Sequence, residues 1–203
     1  MEFPVKAEPI NIPSEGHCRR IISELGMLDN IVAHSLQVCR VSLLLTDHLG
    51  LPGLNRELIR AAALLHDITK TRSFNTGEDH AETGARLLAD LGYPEVAGIV
   101  GQHVRLDRYL LTSSTATDAE IVNYSDKRVL HDKIVPLNER MGYILEKYGI
   151  GPERKRNILL LWEKTEKLEK RLFASLPFSP GDVSGLLSAG SSSRDSQGLS
   201  HSL

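Results

Sequence analysis

Apolar residues recur at intervals of three and four positions through most of this chain, and this periodicity is typical of amphipathic α-helices. It predicts helices over residues 17–26, 29–49, 55–68, 80–91, 94–104, 117–131, 137–148 and 152–174. Gly50, Gly92 and Gly149 each follow a periodic run, where a left-handed helix cap would lie. Thr117 and Glu120 have the spacing of a capping box at the start of the sixth helix. Because no alternating strand pattern stands out, we expect an all-α fold, a helical bundle in a single domain.

The two ends of the chain differ from this helical middle. Residues 1–16 are rich in proline and lack helical periodicity, and residues 179–203 contain nine serines and four glycines. Segments of this composition bury little side-chain area, so they tend to stay disordered. We therefore predict an irregular segment over residues 1–16, one helical domain over residues 17–176 and a disordered Ser/Gly-rich tail over residues 177–203.

Charge and cysteine content exclude several classes of protein. The 24 basic and 26 acidic residues give a net charge of −2, whereas binding to bulk nucleic acid or to an anionic membrane needs a large basic surface. Cys18 and Cys39 are the only cysteines, which is too few for a disulfide framework or a four-thiolate zinc site. The apolar runs are too short to cross a bilayer. We expect a cytoplasmic protein, in which the last long helix packs on its own domain or forms a homodimer.

Histidine is the unusual residue type in this chain, which has eight of them. His34, His66 and His103 stand three or four positions from apolar residues of their predicted helices, and Asp126 does the same in the sixth helix. This spacing directs all four side chains into the core. Buried imidazole and carboxylate groups need partners, which hydrogen bonds among them or a shared metal ion could supply. The whole set favours the metal, because packing alone explains it poorly.

The order of these residues resembles the HD superfamily of metal-dependent phosphohydrolases. His34, the adjacent pair His66 and Asp67, and Asp126 fall on successive helices as in that family, and LLHDITK is similar to its HDIGK segment. In size and histidine content the chain also resembles the bacterial hydrolases of symmetrical dinucleoside tetraphosphates. The resemblance covers about residues 28–135 and implies an HD-domain helical bundle with these four side chains as metal ligands.

Family members with two metals carry two further histidines between the His-Asp pair and the final Asp. His80 and His103 match those positions. The resemblance therefore implies two divalent ions bridged by Asp67, and the nitrogen and oxygen ligands suit iron, manganese, cobalt or nickel. A site with a single ion remains open, in which His80 and His103 contact phosphate instead.

Basic residues follow these positions along the chain. Lys70 matches the lysine of the family segment, so the resemblance implies that it acts beside Asp67 in catalysis and stabilises phosphoryl oxygens. Arg72, Arg105 and Lys127 are further candidates for binding phosphate oxygens of the substrate.

Thr69 departs from the family pattern, which has glycine after the His-Asp-Ile run. Glycine would allow a left-handed turn that a β-branched residue tolerates poorly, so we expect the loop after the third helix to follow a different path. The other histidines have no supporting pattern, and we predict no catalytic role for His17, His48, His131 and His201.

These observations predict an enzyme that cleaves a phosphomonoester or phosphoanhydride of a small phosphorylated metabolite, most plausibly a nucleotide. Metal-bound hydroxide would attack phosphorus. Two alternatives remain open at this point. One is a di-iron oxygenase of the same fold, whose ligand order the sequence does not distinguish. The other is a non-catalytic module for nucleotide sensing or protein interaction, with a structural metal.

Overall fold

The structure, a computed structural model, describes residues 10–106 and 115–195. Its helices are α1 (Glu15–Glu24), α2 (Asp29–Leu49), α3 (Arg56–Leu65), α4 (Lys70–Thr76), α5 (His80–Asp90), α6 (Pro94–Val100), α7 (Asp118–Asp126), α8 (Leu137–Tyr148), α9 (Pro152–Phe173) and α10 (Val183–Asp195). Strands β1 (Val129–Leu130) and β2 (Lys133–Ile134) pair as a short antiparallel hairpin, and a 3₁₀ turn (Pro180–Asp182) precedes α10. The predicted all-α fold is confirmed.

A run of three alanines brings the centre of the fold together. Ala61, Ala62 and Ala63 of α3 are fully buried, and α3 packs against α2, α6 and α7. Small side chains let neighbouring helices approach closely, and the buried apolar residues form one core around them. The chain that leaves α3 at His66 therefore begins deep inside the protein, where its polar side chains are buried.

Several helices end earlier than the periodicity predicts. The helix predicted over residues 117–131 ends at Asp126, because the next residues turn into the hairpin of β1 and β2. His131 has a φ of 56° in the hairpin turn, and the backbone N–H of Val135 donates to the carbonyl of Arg128. Helix α4 was not predicted, since its sequence KTRSFNT has no apolar periodicity.

The predicted disorder of the tail over residues 177–203 is wrong for residues up to 195, where α10 forms. Val183 is fully buried in the core, and Leu187 packs partly against it. The Arg40 guanidinium also donates to the carbonyl of Leu187. These apolar residues stand at helical spacing among many serines, so the overall composition concealed an anchored helix.

Three parts of the chain lie outside the described residues, namely 1–9, 107–114 and 196–203. Most of the predicted irregular N-terminal segment, the end of the tail and His201 therefore remain predictions. Within the described ranges, none of the helices has the length and apolar character that crossing a membrane requires.

Candidate metal centre

Two histidines follow helix ends and bond back onto them. His66 comes directly after α3, and its Nδ1 donates to the carbonyl of Ala63 at 2.8 Å. His103 follows α6, and its Nδ1 donates to the carbonyl of Val100 at 2.7 Å. The last carbonyls of a helix lack partners within it, so each ring caps its own helix. Because Nδ1 carries the proton, the lone pair of each neutral ring lies on Nε2.

The hairpin orients a third histidine. His34 lies in the second turn of α2, and its Nδ1 is 2.8 Å from the backbone carbonyl of His131 in the hairpin turn. Its Nε2 points the other way and lies 3.0 Å from Oδ1 of Asp126, the last residue of α7. The prediction for His131 concerned its side chain, whereas its contribution here is a backbone carbonyl. No side-chain pattern in the sequence could have indicated that contribution.

Asp67 lies between the histidines and is almost fully buried. Its Oδ2 is 3.4 Å from Nε2 of His66 and 4.0 Å from Nε2 of His34. Its Oδ1 is 3.3 Å from Nε2 of His80 and 3.5 Å from Nε2 of His103. The two carboxylate oxygens thus face two different pairs of imidazole nitrogens.

This arrangement creates two groups of possible metal ligands that share one carboxylate. In each group the ligand atoms lie within 4.8 Å of one another, and the groups are His34, His66 and Asp67, and Asp67, His80 and His103. Asp126 adjoins the first group, since its Oδ1 is also 3.8 Å from Nε2 of His66. The structure therefore brings together all six residues that the resemblance implied as ligands.

Hydrogen bonding inside the cluster is incomplete. Among the residues that the structure describes, Nε2 of His66 and Oδ1 of Asp67 are buried without a hydrogen-bond partner. Buried lone pairs that face one another repel unless a proton or a metal ion lies between them. Since nitrogen and oxygen donors without thiolates suit divalent ions, the cluster fits a metal.

The electrostatics keep both carboxylates of the cluster ionised, which is the form that binds metal. Burial alone would raise the pKa of Asp67, but His66 and other nearby positive groups hold it well below its usual range. Burial is likewise outweighed at Asp126, where the hydrogen bond with His34 helps to lower the pKa strongly. Burial lowers the pKa of His103 and so favours its neutral ring, whereas at His66 the neighbouring Asp67 carboxylate outweighs burial and raises the pKa. Ionised carboxylates and neutral imidazoles are the ligand forms that metals require.

A cavity of about 860 Å³ opens onto this centre. Its lining includes His80, His103 and Asp126 of the cluster, together with Ile158 and Leu161 of α9. The cavity thus joins the cluster of possible ligands to a partly apolar space of the size that holds a small molecule.

Two of the predicted phosphate-binding residues lie at this cavity. Lys70 is the first residue of α4, lines the cavity and donates from Nζ to Oδ2 of Asp67 at 2.7 Å. Arg105 lines the cavity with an exposed side chain. Both side chains can therefore meet a ligand inside the cavity.

The other two predicted phosphate-binding residues are engaged elsewhere. Arg72 is exposed, donates to Glu78 and is not among the residues that line the cavity. Lys127 lies at the cavity, but its Nζ is buried and donates to the carbonyls of His103 and Asn123. The structure therefore does not support a contact between Arg72 and a substrate, and it gives Lys127 a place in holding the chain around His103. Sequence proximity to a ligand did not fix the direction of either side chain.

Sequence reasoning missed Arg140 of α8. Its guanidinium NH2 lies 3.8 Å from Oδ1 of Asp126, and the residue lines the cavity. Arg140 lies beyond residues 28–135, which the resemblance covered, and an arginine on a helix is by default a surface residue. The periodicity of α8 alone carried no signal for it.

Thr69 has ordinary backbone geometry, with a φ of −102°. Its hydroxyl donates to the carbonyl of His80 at 2.8 Å and lies 3.1 Å from the hydroxyl of Thr83. The chain therefore passes from His66 into α4 without a left-handed turn at this position, and the threonine ties that segment to the start of α5.

The geometry agrees with a comparison against protein families. The HD domain family model matches residues 31–129, a range that includes all six residues of the cluster. The chain contains an HD domain. Domains of this family bind divalent metals, in keeping with the donor set described above. Helices α8 and α9, which contribute residues to the lining of the cavity, lie after the matched residues.

Two curated proteins are similar to parts of the chain. A tRNA (cytidine(56)-2'-O)-methyltransferase from Picrophilus torridus is 29% identical over 145 residues, and ribonuclease Y from Aquifex aeolicus is 36% identical over 66 residues. These matches cover 64% and 32% of this chain, but only 40% and 11% of the relatives' own lengths. Among solved structures, a predicted HD superfamily hydrolase from an uncultured Thermotogales bacterium is similar over 81% of this chain and 94% of its own, at 20% identity and a TM-score of 0.45.

Proposed function

We propose that this HD domain is a metal-dependent phosphohydrolase that cleaves a phosphomonoester or phosphoanhydride of a small phosphorylated molecule, with nucleotides as the first substrate class to test. The observation that carries the proposal is the position of Asp67. Its two oxygens face two groups of imidazole nitrogens, and His80, His103 and Asp126 of the same cluster line a cavity that basic side chains also line.

The proposed ligand sets follow the two groups. His34, His66, Asp67 and Asp126 would hold one divalent ion, and Asp67, His80 and His103 would hold a second. When bound, such ions lower the pKa of a coordinated water and polarise phosphoryl oxygens. The protein's own part is to keep the ligands preorganised: the Nδ1 bonds of His34, His66 and His103 fix each ring with Nε2 turned inward.

Lys70 would contribute positive charge next to the reacting group. Burial alone would lower the pKa of its amine, but the Asp67 carboxylate outweighs this effect and raises the pKa, so the side chain stays charged near neutral pH. An ammonium group has three N–H donors, and the bond to Asp67 uses one of them. The remaining donors can hold a phosphoryl oxygen as negative charge develops on it.

The lining of the cavity favours an anionic substrate. Lys70, Arg105 and Arg140 all line it, and the acidic side chain among its lining residues is Asp126, which the proposal assigns to the metal. A phosphorylated molecule would satisfy both the bound ions and these cations. This lining is the reason to test phosphate esters before the C–H bonds that a di-iron oxygenase would attack.

The test measures phosphate release from a panel of nucleotides and from p-nitrophenyl phosphate by protein loaded with manganese, cobalt or nickel. The variant is His66→Ala, and the matched control is His48→Ala. His48 also bonds from Nδ1 to a carbonyl of its own helix, that of Leu44, but it is exposed and outside the cluster.

We expect phosphate release by the wild-type protein and by His48→Ala, and a loss of about 1,000-fold or more in His66→Ala, because members of one catalytic unit act together. Circular dichroism would establish that the variants are folded. No release from any compound by metal-loaded protein would contradict the proposal, as would equal rates in wild type and His66→Ala.

A further inference from the structure

Arg140 reaches the metal centre from outside the part of the chain that matches the HD family. It lies near the start of α8, which begins at Leu137, after the match ends at residue 129. The nearest carboxylate oxygen that its guanidinium faces is Oδ1 of Asp126, at 3.8 Å from NH2. That distance is too long for a hydrogen bond, so the contact is electrostatic only.

The guanidinium is buried but has unused hydrogen-bonding capacity. Its side chain is 13% exposed, and within the described ranges its Nε has no hydrogen-bond partner. A buried guanidinium normally uses its planar set of five N–H donors on carbonyls or anions. Since Arg140 also lines the cavity, a ligand there is the natural acceptor for these donors.

Neighbouring aromatic contacts hold Arg140 in this position. Its guanidinium carbon lies 5.7 Å from the centre of the Tyr143 ring, and that ring packs edge to face on His131. The backbone carbonyl of His131 in turn orients His34. One chain of contacts therefore fixes both a proposed metal ligand and the guanidinium beside it.

The charges at the centre leave room for an anion. Asp67 and Asp126 contribute two negative charges, and Lys70 and Arg140 offset them with two positive ones. Since these four charges cancel, every divalent ion bound by the cluster would add positive charge that they do not balance. A phosphate group would balance it.

We propose that Arg140 is a substrate-binding residue that binds phosphate oxygens of the ligand in the cavity, together with Lys70. This inference rests on the proposed function and adds to it a contact from α8. A guanidinium matches two oxygens of a phosphate at once, a geometry that lysine does not offer. The same helix and α9 also supply apolar lining through Ile144, Ile158 and Leu161. The substrate is therefore a phosphate attached to a group with an apolar face.

The test is the affinity of manganese-loaded protein for inorganic phosphate, measured by titration calorimetry, with metal content determined on the same samples. The variants are Arg140→Gln and Arg140→Lys. The matched control is Arg72→Gln, which removes an exposed arginine that pairs with Glu78 and does not line the cavity.

We expect Arg140→Gln to weaken phosphate binding by about 10-fold or more at unchanged metal content, because a charge-assisted contact is lost. Arg140→Lys should fall in between, since it retains the charge and loses the planar fork. Arg72→Gln should bind as the wild type does. A role confined to supporting Asp126 predicts a different pattern, in which Arg140→Gln loses metal.

Unchanged phosphate affinity in Arg140→Gln would overturn the inference, and so would a loss of phosphate binding that merely follows a loss of metal. If the wild type releases phosphate from substrates while Arg140→Gln binds phosphate normally, the inference fails and the proposed function stands. If metal-loaded wild type neither binds phosphate nor releases it, both fail together.

Discussion

Two buried polar clusters lie on either side of the end of α7. Asp126 faces the His/Asp centre, whereas Tyr124 and Arg128 face a second cluster with Glu169 of α9. In this second cluster the Tyr124 hydroxyl donates to Glu169 at 2.6 Å, and the Arg128 guanidinium donates to the same hydroxyl at 2.6 Å. The two clusters have similar burial but different hydrogen bonding.

In the second cluster, which we call the Arg128 cluster, all three guanidinium nitrogens of Arg128 donate hydrogen bonds. Arg128 donates from Nε to the carbonyl of Val135 and from NH2 to the carbonyl of Pro180, both at 2.9 Å. It thereby joins the end of α7 to α9 and to the turn before α10. The metal centre instead leaves Nε2 of His66 and Oδ1 of Asp67 without partners. A buried polar group with all its partners stabilises a fold, whereas one without them marks the place of a ligand.

The largest expected effect concerns the shared carboxylate. Asp67→Asn removes the charge that both proposed ion sites use, so we expect both ions to be lost and turnover to fall by about 1,000-fold or more. Elemental analysis and phosphate release measure the two quantities. The control is Asp47→Asn, at an exposed position that pairs with Arg56. If Asp67→Asn kept its full metal content, the assignment of Asp67 would be wrong.

A substitution in the Arg128 cluster should instead lower the stability of the fold and leave metal binding unchanged. Arg128→Met removes the charged partner of Glu169, which keeps only the Tyr124 hydroxyl, and takes the guanidinium donor from the carbonyls of Val135 and Pro180, so the free energy of unfolding should fall by about 3–5 kcal/mol. Denaturant titration measures that change, and the folded variant should retain wild-type metal content. Loss of metal without loss of stability would reverse the roles that we assign to the two clusters.

A smaller effect on metal binding is expected at Thr69, which supports a proposed ligand but is not a ligand itself. Thr69→Val keeps the shape but removes the hydroxyl that donates to the carbonyl of His80. We expect about 10-fold weaker binding of one ion out of two, because partners behind a ligand typically contribute 10- to 100-fold in affinity. Metal titration of Thr69→Val beside Thr76→Val, at an exposed threonine, checks this. If Thr69→Val bound both ions as tightly as the wild type does, the hydroxyl would not support His80.

The smallest effect concerns the chemical reactivity of the two buried thiols, which pack in the core. Burial raises the pKa of Cys18 from 9.0 to about 11 and that of Cys39 to about 12. Since the thiolate is the reactive form, native protein at pH 8 should react with iodoacetamide much more slowly than unfolded protein does. A raised folded pKa also means that stability is present below pH 9 and is lost as the pH rises toward 11–12. Rapid labelling of native protein at pH 8 would contradict this account of burial.

The sequence predicted the parts of the molecule that side-chain patterns encode. Apolar spacing predicted α1 to α3 and α5 to α9, and the resemblance to the HD superfamily implied the six proposed ligands, from His34 to Asp126. Contributions made by the backbone or by distant helices had no such signal. The carbonyl of His131, the helix ends capped by His66 and His103, and the approach of Arg140 all depend on tertiary packing.

Residue type and sequence position alone also did not fix the direction of two side chains. Arg72 and Lys127 stand close in sequence to proposed ligands, but Arg72 pairs with Glu78 and Lys127 turns inward to backbone carbonyls. The prediction of a disordered tail was wrong for a related reason, because the serines outnumber the few apolar residues that anchor α10. In each case the contacts of a side chain depended on its position within its helix or turn. A count of residue types carries no information about that position.

The central claim is that Asp67 is shared between two ion sites. The most direct measurement is the metal content of protein purified without chelator, compared between the wild type and the variants His80→Ala and His103→Ala. The account predicts about two ions per chain in the wild type and about one in each variant. One ion per chain that stays unchanged in both variants would contradict it, and would leave His80 and His103 as contacts to the substrate.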